Sequence, residues 1–409
     1  MNKRIFIVAF FAFLFLAGSV YAAIGITELR TEQLKNPLGI DVRQPRLGWR
    51  IESDEQNVMQ TAYHILVASS ADLLAQGKGD IWDSGKIESD ASQWIAYQGK
   101  PLKRNARYYW KVKVYTNRGE ADWSAPAFWS MGLLNEADWQ GQWIGLDRAA
   151  SGDSEAQWSR LAARYLRKEF ALSKEVKRAT VHIAGMGLYE LFINGQRIGD
   201  QVLAPAPTDY RKTILYNTYD VTPQLRKENA IGVTLGNGRF YTMRQNYKPY
   251  KIPTFGYPKL RLNLIVEYMD GSKETIATNT SWKLTTEGAI RSNNEYDGEE
   301  YDARKELGNW TQSGYDDKSW IAAQRVSIPS GTLRAQIMPG MKVMDTLKPV
   351  SIQKLGDKYI LDFGQNMAGW ALKDKPVTVF VSVSQKPCRP MGNSILGIYV
   401  TPVPQIRIS

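Results

Sequence analysis

The chain has 409 residues and a single cysteine, with 52 Lys and Arg against 41 Asp and Glu for a formal net charge of +11. One cysteine excludes an internal disulfide framework, so any folded part is held by packed cores. The basic balance does not make a nucleic-acid binder: residues 1–22 carry +2, residues 371–409 carry +4, and no dense basic run lies between them.

Residues 1–22 read as a secretory signal peptide. Lys3 and Arg4 precede an apolar run from Ile5 to about Ala17, and Val20 and Ala22 are placed for cleavage after Ala22. The run is short for a membrane span and no basic stop-transfer cluster follows. No later stretch is apolar enough to cross a bilayer. The expectation is export to the periplasm or the extracellular space, with no membrane span after cleavage.

Period-2 patterning dominates the rest, which predicts an all-β chain. Residues 25–133 form a first block with the size and strand rhythm of a fibronectin type III or immunoglobulin-like sandwich. Within "YYWKVKVYTNRG", Trp110, Val112 and Val114 alternate with Tyr109, Lys111 and Lys113, so one face is apolar. Residues 138–339 form a longer block that fits a jelly roll; "LFINGQRIGD" is a hairpin whose Asn194-Gly195 pair suits a type I′ turn. Residues 341–370, with "KYILDFGQNMAGW", begin a third β-rich unit. Only "SADLLAQG" and the stretches 222–228 and 314–321 look helical.

Catalytic constellations are scarce. His64 and His182 lie in apolar strands without carboxylates or cysteines at metal-ligand spacing, and read as structural histidines. No nucleophile elbow or phosphate-cradling glycine loop is present, so neither metal nor cofactor is expected. The richest polar stretch is "NNEYDGEEYDARKELGNW", which crowds Asp297, Glu299, Glu300 and Asp302 beside Tyr296, Tyr301 and Arg304. Carboxylates accept hydroxyl hydrogen bonds and aromatic rings stack on sugar C–H faces, so the composition suits a sugar site. The same residues also suit a solvated loop in which Arg304 neutralises its neighbours. Trp139 and Trp143 stand four apart, so a short turn puts both on one side. "LAPAPTDYR" and "LGNGRFY", the latter ending in Tyr241, line a groove or form packed turns.

Taken in order, "WQGQWIG", "ARYLRKEFAL", "ATVHIAGMGLYELFINGQRIGD", "LAPAPTDYRKTILYNTYDVT", "NAIGVTLGNGRFY", "YDGEEYDARKE" and "ILDFGQNMAGW" resemble the N-terminal half of the bacterial α-L-rhamnosidases, a glycoside hydrolase family. The resemblance spans roughly residues 25–370. It implies a fibronectin-like domain, a galactose-binding-like jelly roll and a concanavalin-like β-sandwich, followed in the family by an (α/α)6 barrel. The implied reaction is inverting hydrolysis of terminal α-L-rhamnose, and the implied partner is a rhamnose-containing glycan. The family's general acid and base are barrel carboxylates, and no residue of this chain matches them; the barrel is absent. Glu300, Asp302 and Arg304 become accessory glycan contacts under this resemblance, none of them a catalyst; Asp297, Trp143 and Tyr241 are further candidate glycan contacts from their residue types alone. The alternative is a carbohydrate-binding β-sandwich module without catalysis.

The tail, 371–409, departs from the family pattern. Read one base out of frame, the codons for Val381 to Arg389 permit "LRFAETLQ", and later stretches permit further segments that resemble what the family carries after "DFGQNMAGW". The expectation is a frameshifted tail beginning between about Trp370 and Asp374, which truncates the chain before its chemistry.

Overall fold

The computed structural model describes residues 24–150, 161–241, 255–294, 298–355, 358–365 and 398–400. The signal-peptide reading of 1–22 and most of the 371–409 tail lie outside them. The fold is all-β, as expected. Among the described residues the one α-helix is Ala71–Ala75, begun by Ser70, whose Oγ accepts the Leu73 N–H. The helical expectation near 222 shrinks to a single 3₁₀ turn, Thr222–Gln224. The one for 314–321 fails: these residues turn and enter the strand Ile321–Ala322, because Tyr315 and Trp320 pack beside Trp310 instead of forming a helical stripe.

The first unit is a sandwich of a three-stranded and a five-stranded sheet. The smaller sheet orders Gly25–Thr31, Arg46–Glu52 and Ile95–Ala96. In the larger, Gln60–Ala68 lies between Trp82–Glu88 and Arg107–Thr116. Along Arg107–Thr116 the predicted alternation holds, with Tyr108, Trp110, Val112 and Val114 buried. They meet Trp49, Ile65, Val67 and Trp129 in one core. Burying large aromatic and β-branched chains between two pleated faces is what stabilises such a sandwich.

The second unit pairs a six-stranded with a seven-stranded sheet. Arg164–Ala171 and Glu228–Gly236 centre the first; Val176–Met186 and Lys259–Tyr268 centre the second. Leu166, Leu191, Val233 and Leu235 from one sheet share a core with Val181, Ile183, Leu262 and Leu264 from the other, around the fully buried Trp282. Asn194 and Gly195 both have positive φ, 51° and 84°, so the two-residue turn takes the predicted hand. A third, smaller sheet joins Ser351–Leu355, Lys358–Asp362 and, from the tail, Ile398–Val400.

The two large units meet along a polar joint. Arg107 pairs with Asp220 at 2.7 Å, Arg178 donates to the Asn105 carbonyl, and the Ala335 N–H donates to Asp41 at 3.0 Å. Close approach here depends on glycine. A Cβ on Gly39 would lie 1.9 Å from Thr218 Oγ1, and one on Gly132 would lie 2.2 Å from the Tyr216 hydroxyl oxygen.

Candidate functional site

The polar stretch singled out in the sequence folds as a hairpin. Ile290–Asn294 pairs with Gly298–Tyr301, placing Asn293 opposite Glu299 and Ser292 opposite Glu300. Gly298–Tyr301 is exposed along its length. The inner strand is anchored: Asn293 Oδ1 accepts the Asn237 N–H at 2.6 Å, and the Asn293 carbonyl accepts from the Asn237 side chain at 2.7 Å. The outer strand is thereby held out to solvent by the bonds between buried Asn237 and half-buried Asn293. Asp297 lies outside the described residues.

Asp302 closes the hairpin and caps the 3₁₀ turn Ala303–Lys305. Its Oδ1 accepts the Arg304 N–H at 3.1 Å, and its carboxylate takes the Arg304 guanidinium through two bonds, 2.9 and 2.8 Å. This fork holds the Asp302 carboxyl below its ordinary value. The pair is thus a rigid donor and acceptor unit beside the hairpin. Glu299 behaves oppositely: partial desolvation, and secondarily the Glu190 carboxylate, raise its pKa although the residue keeps much of its surface open to solvent. Tyr301 is 55 % exposed and its hydroxyl donates to Glu306 at 2.5 Å, so the ring edge is fixed while much of the side chain stays open.

The two aromatic residues proposed from sequence are placed elsewhere. Trp143 is 7 % exposed, within the core that also holds Trp139, Tyr216 and Phe240. Both tryptophans do face one group, the Arg261 guanidinium, 5.3 Å from the Trp139 ring and 6.0 Å from Trp143. Tyr241 is also 7 % exposed and stacks on Tyr257. Neither ring lies on the hairpin surface. The loop with Asp209 and Tyr210 is a packed turn: Tyr210 is buried against Phe240 and Phe255, and Asp209 pairs with Arg211 at 3.0 Å. The structure therefore gathers Glu300, Asp302 and Arg304 at the hairpin and buries the Trp143 and Tyr241 side chains. The aromatic residue it supplies at the hairpin is Tyr301.

His64 and His182 hold structural hydrogen bonds, to Asp83 at 2.6 Å and to Thr218 and Asn105 at 2.9 and 3.2 Å. Among the described residues there is no group of three or more His, Cys, Asp or Glu able to hold a metal. No helix among them is long and apolar enough to cross a membrane.

Two family models match the chain. One, described as "Alpha-L-rhamnosidase N-terminal domain", covers residues 174–345, and another, "Rha78A-like, N-terminal immunoglobulin domain", covers 26–135. An α-L-rhamnosidase from Formosa agariphila is 40 % identical over 356 residues, which are 82 % of this chain and 37 % of that protein. The α-L-rhamnosidase structure from Dictyoglumus thermophilum superposes with a TM-score of 0.75 at 39 % identity, over 84 % of this chain and 38 % of that one. The Streptomyces avermitilis α-L-rhamnosidase, solved with L-rhamnose, gives 0.73 at 26 % identity, over 84 % and 49 %. The chain thus spans well under half the length of the first two relatives.

Proposed function

Because the chain belongs to the bacterial α-L-rhamnosidase family, whose N-terminal β-domains it carries, we propose that it is the non-catalytic portion of an exported glycosidase. The parent reaction is hydrolysis of terminal α-L-rhamnose from a glycan, with inversion. Inverting hydrolysis needs a general acid and a general base on either side of the scissile bond. The observation that carries the reading is the coverage: the matched residues make up 37 % of the Formosa agariphila relative, leaving most of that protein without a counterpart here. These residues alone therefore release no rhamnose. The test is incubation of the purified chain with an aryl α-L-rhamnoside. No turnover above a boiled control is expected, and turnover would overturn the claim of inactivity.

The hairpin supports a second, compatible role as a glycan contact. Tyr301, Glu299 and Glu300 on the exposed strand, with the Asp302–Arg304 pair beside it, combine a ring, acceptors and a fixed charge pair. Asp297, next to Gly298 in sequence, is included in the proposal; Trp143 and Tyr241 support it only as buried side chains. Titration with a rhamnose-bearing oligosaccharide should shift amide resonances of 290–304. Unchanged resonances at millimolar sugar would remove the role.

A further inference from the structure

A cleft of about 910 Å³ opens where the first sandwich meets the edge strand Thr332–Ala335 of the second. Its volume falls in the range of small-ligand sites. Its polar lining comes from three separate stretches of chain: Asp41, Arg43 and Gln44; Gln98 and Lys100; and Arg334.

The charges in it are unusual because none pairs with an opposite charge among the described residues. Arg43 donates to the Asn135 side chain at 2.9 Å and to the Leu134 carbonyl at 3.4 Å. Lys100 donates to the Asp80 backbone carbonyl at 2.6 Å. The Arg334 guanidinium has no hydrogen bond or ion pair among the described residues. Asp41 spends Oδ2 on the Ala335 N–H at 3.0 Å and meets no cation through Oδ1. Three cations against one carboxylate leave a net +2 in a concave site, where low-dielectric walls concentrate the field. The frame is also rigid: the Tyr97 hydroxyl donates to the Lys100 carbonyl at 2.6 Å, and Asp41 ties the first sandwich to the second.

We propose that this cleft binds an acidic saccharide, one whose carboxylate or sulfate sits among Arg43, Lys100 and Arg334 while its hydroxyls meet Asp41, Gln44 and Gln98. The excess positive charge calls for an anion, and guanidinium groups match the geometry of carboxylate and sulfate oxygens. The unspent Asp41 oxygen repels a bare anion and accepts a hydroxyl, and the two amides add donors and acceptors, which favours a hydroxylated ligand over an inorganic ion. The saccharide part of this inference rests on the glycan reading above; the anion part rests on charge alone. Such a site would hold the protein on a charged polysaccharide away from the hairpin.

The test is calorimetry and amide-shift mapping on the full chain at low salt. Probes are a glucuronate-terminated disaccharide, a sulfated monosaccharide, the neutral counterpart of each, and sodium sulfate. At least one acidic sugar should bind at least about 10-fold more tightly than its neutral counterpart, with shifts at residues 41–44 and 97–102. Which one binds tells carboxylate from sulfate. Arg334→Gln, at an exposed position, should weaken that binding at least about 5-fold with an unchanged melting temperature, and Lys100→Gln should act in the same direction. Equal binding of acidic and neutral sugars, sulfate binding as tightly as the sugar, or an indifferent Arg334→Gln would each overturn the proposal. Shifts confined to 290–304 would overturn it and leave the hairpin role standing; shifts confined to the cleft are the expected result and leave the hairpin role to its own rhamnose titration.

Discussion

Asn105 and His182, 77 residues apart, meet across the joint between the two large units, with Asn105 Oδ1 3.2 Å from His182 Nε2. The Asn105 amide nitrogen faces Glu267 Oε1 at 3.5 Å, so its oxygen is the atom turned to the imidazole. His182 therefore donates from Nε2 and accepts the Thr218 hydroxyl at Nδ1, a neutral ring with both nitrogens satisfied. Burial first, and then the Arg178 charge, lower its pKa from 6.5 to about 3.

That shift sets a pH window for stability. The folded ring stays neutral while the unfolded ring takes a proton below 6.5, so the unfolded state gains protons as pH falls. The contribution is complete above pH 6.5 and is lost progressively toward pH 3, on the order of a few kcal/mol in all. Urea unfolding between pH 7.5 and 4.5 should show wild type losing stability more steeply than His182→Gln. A folded-state resonance assigned to the His182 imidazole and titrating near pH 6.5 would contradict this.

Glycine at the joint separates backbone strain from collision. Gly39 and Gly77 have nearly equal φ, 71° and 74°, but a Cβ on Gly77 meets nothing within 4 Å while one on Gly39 enters the Thr218 side chain. Gly77→Ala should cost about 1 kcal/mol, the strain of a left-handed residue. Gly39→Ala should cost at least about 2 kcal/mol more, because the two units must move apart. Equal midpoints in urea for the two variants would show that the joint is loose.

Arg167 is the most committed charge in the second unit. Its side chain is 1 % exposed, and it donates to the Asp317 and Glu169 carboxylates and to the carbonyls of Trp310 and Gln312. It ties the strand Arg164–Ala171 to the 310–317 loop. Arg167→Met should cost about 3 kcal/mol, since the carbonyls lose their donor while the partly exposed carboxylates recover water. Thermal unfolding monitored by tryptophan fluorescence would report it through Trp310 and Trp320.

Tyr301→Ala should cost no more than about 1 kcal/mol, because the side chain is 55 % exposed. The same variant should weaken rhamnose-oligosaccharide binding at the hairpin several-fold if the ring stacks on sugar. A stability loss of more than about 1.5 kcal/mol would mean that the ring supports the hairpin.

Local chemistry wrote much of this protein in plain view. The alternation around Trp110, the Asn194-Gly195 turn and the Ser70 cap each depend on neighbours within a few residues, so period and turn chemistry suffice to read them. The ordered motifs identified the family for the same reason. The acidic hairpin was legible as a polar cluster, but not which of its members would be held out to solvent. Burial was the information missing: Trp143 and Tyr241 carry the residue types of a sugar platform, and only packing against Arg261 and Tyr257 turned them inward. Contacts between distant segments were likewise decided by the tertiary structure. Asn105 with His182, Asp41 with Ala335, and Arg334 across from Lys100 come together because two sandwiches dock, and docking depends on shape and desolvation summed over whole faces, for which no short stretch of sequence holds a signature.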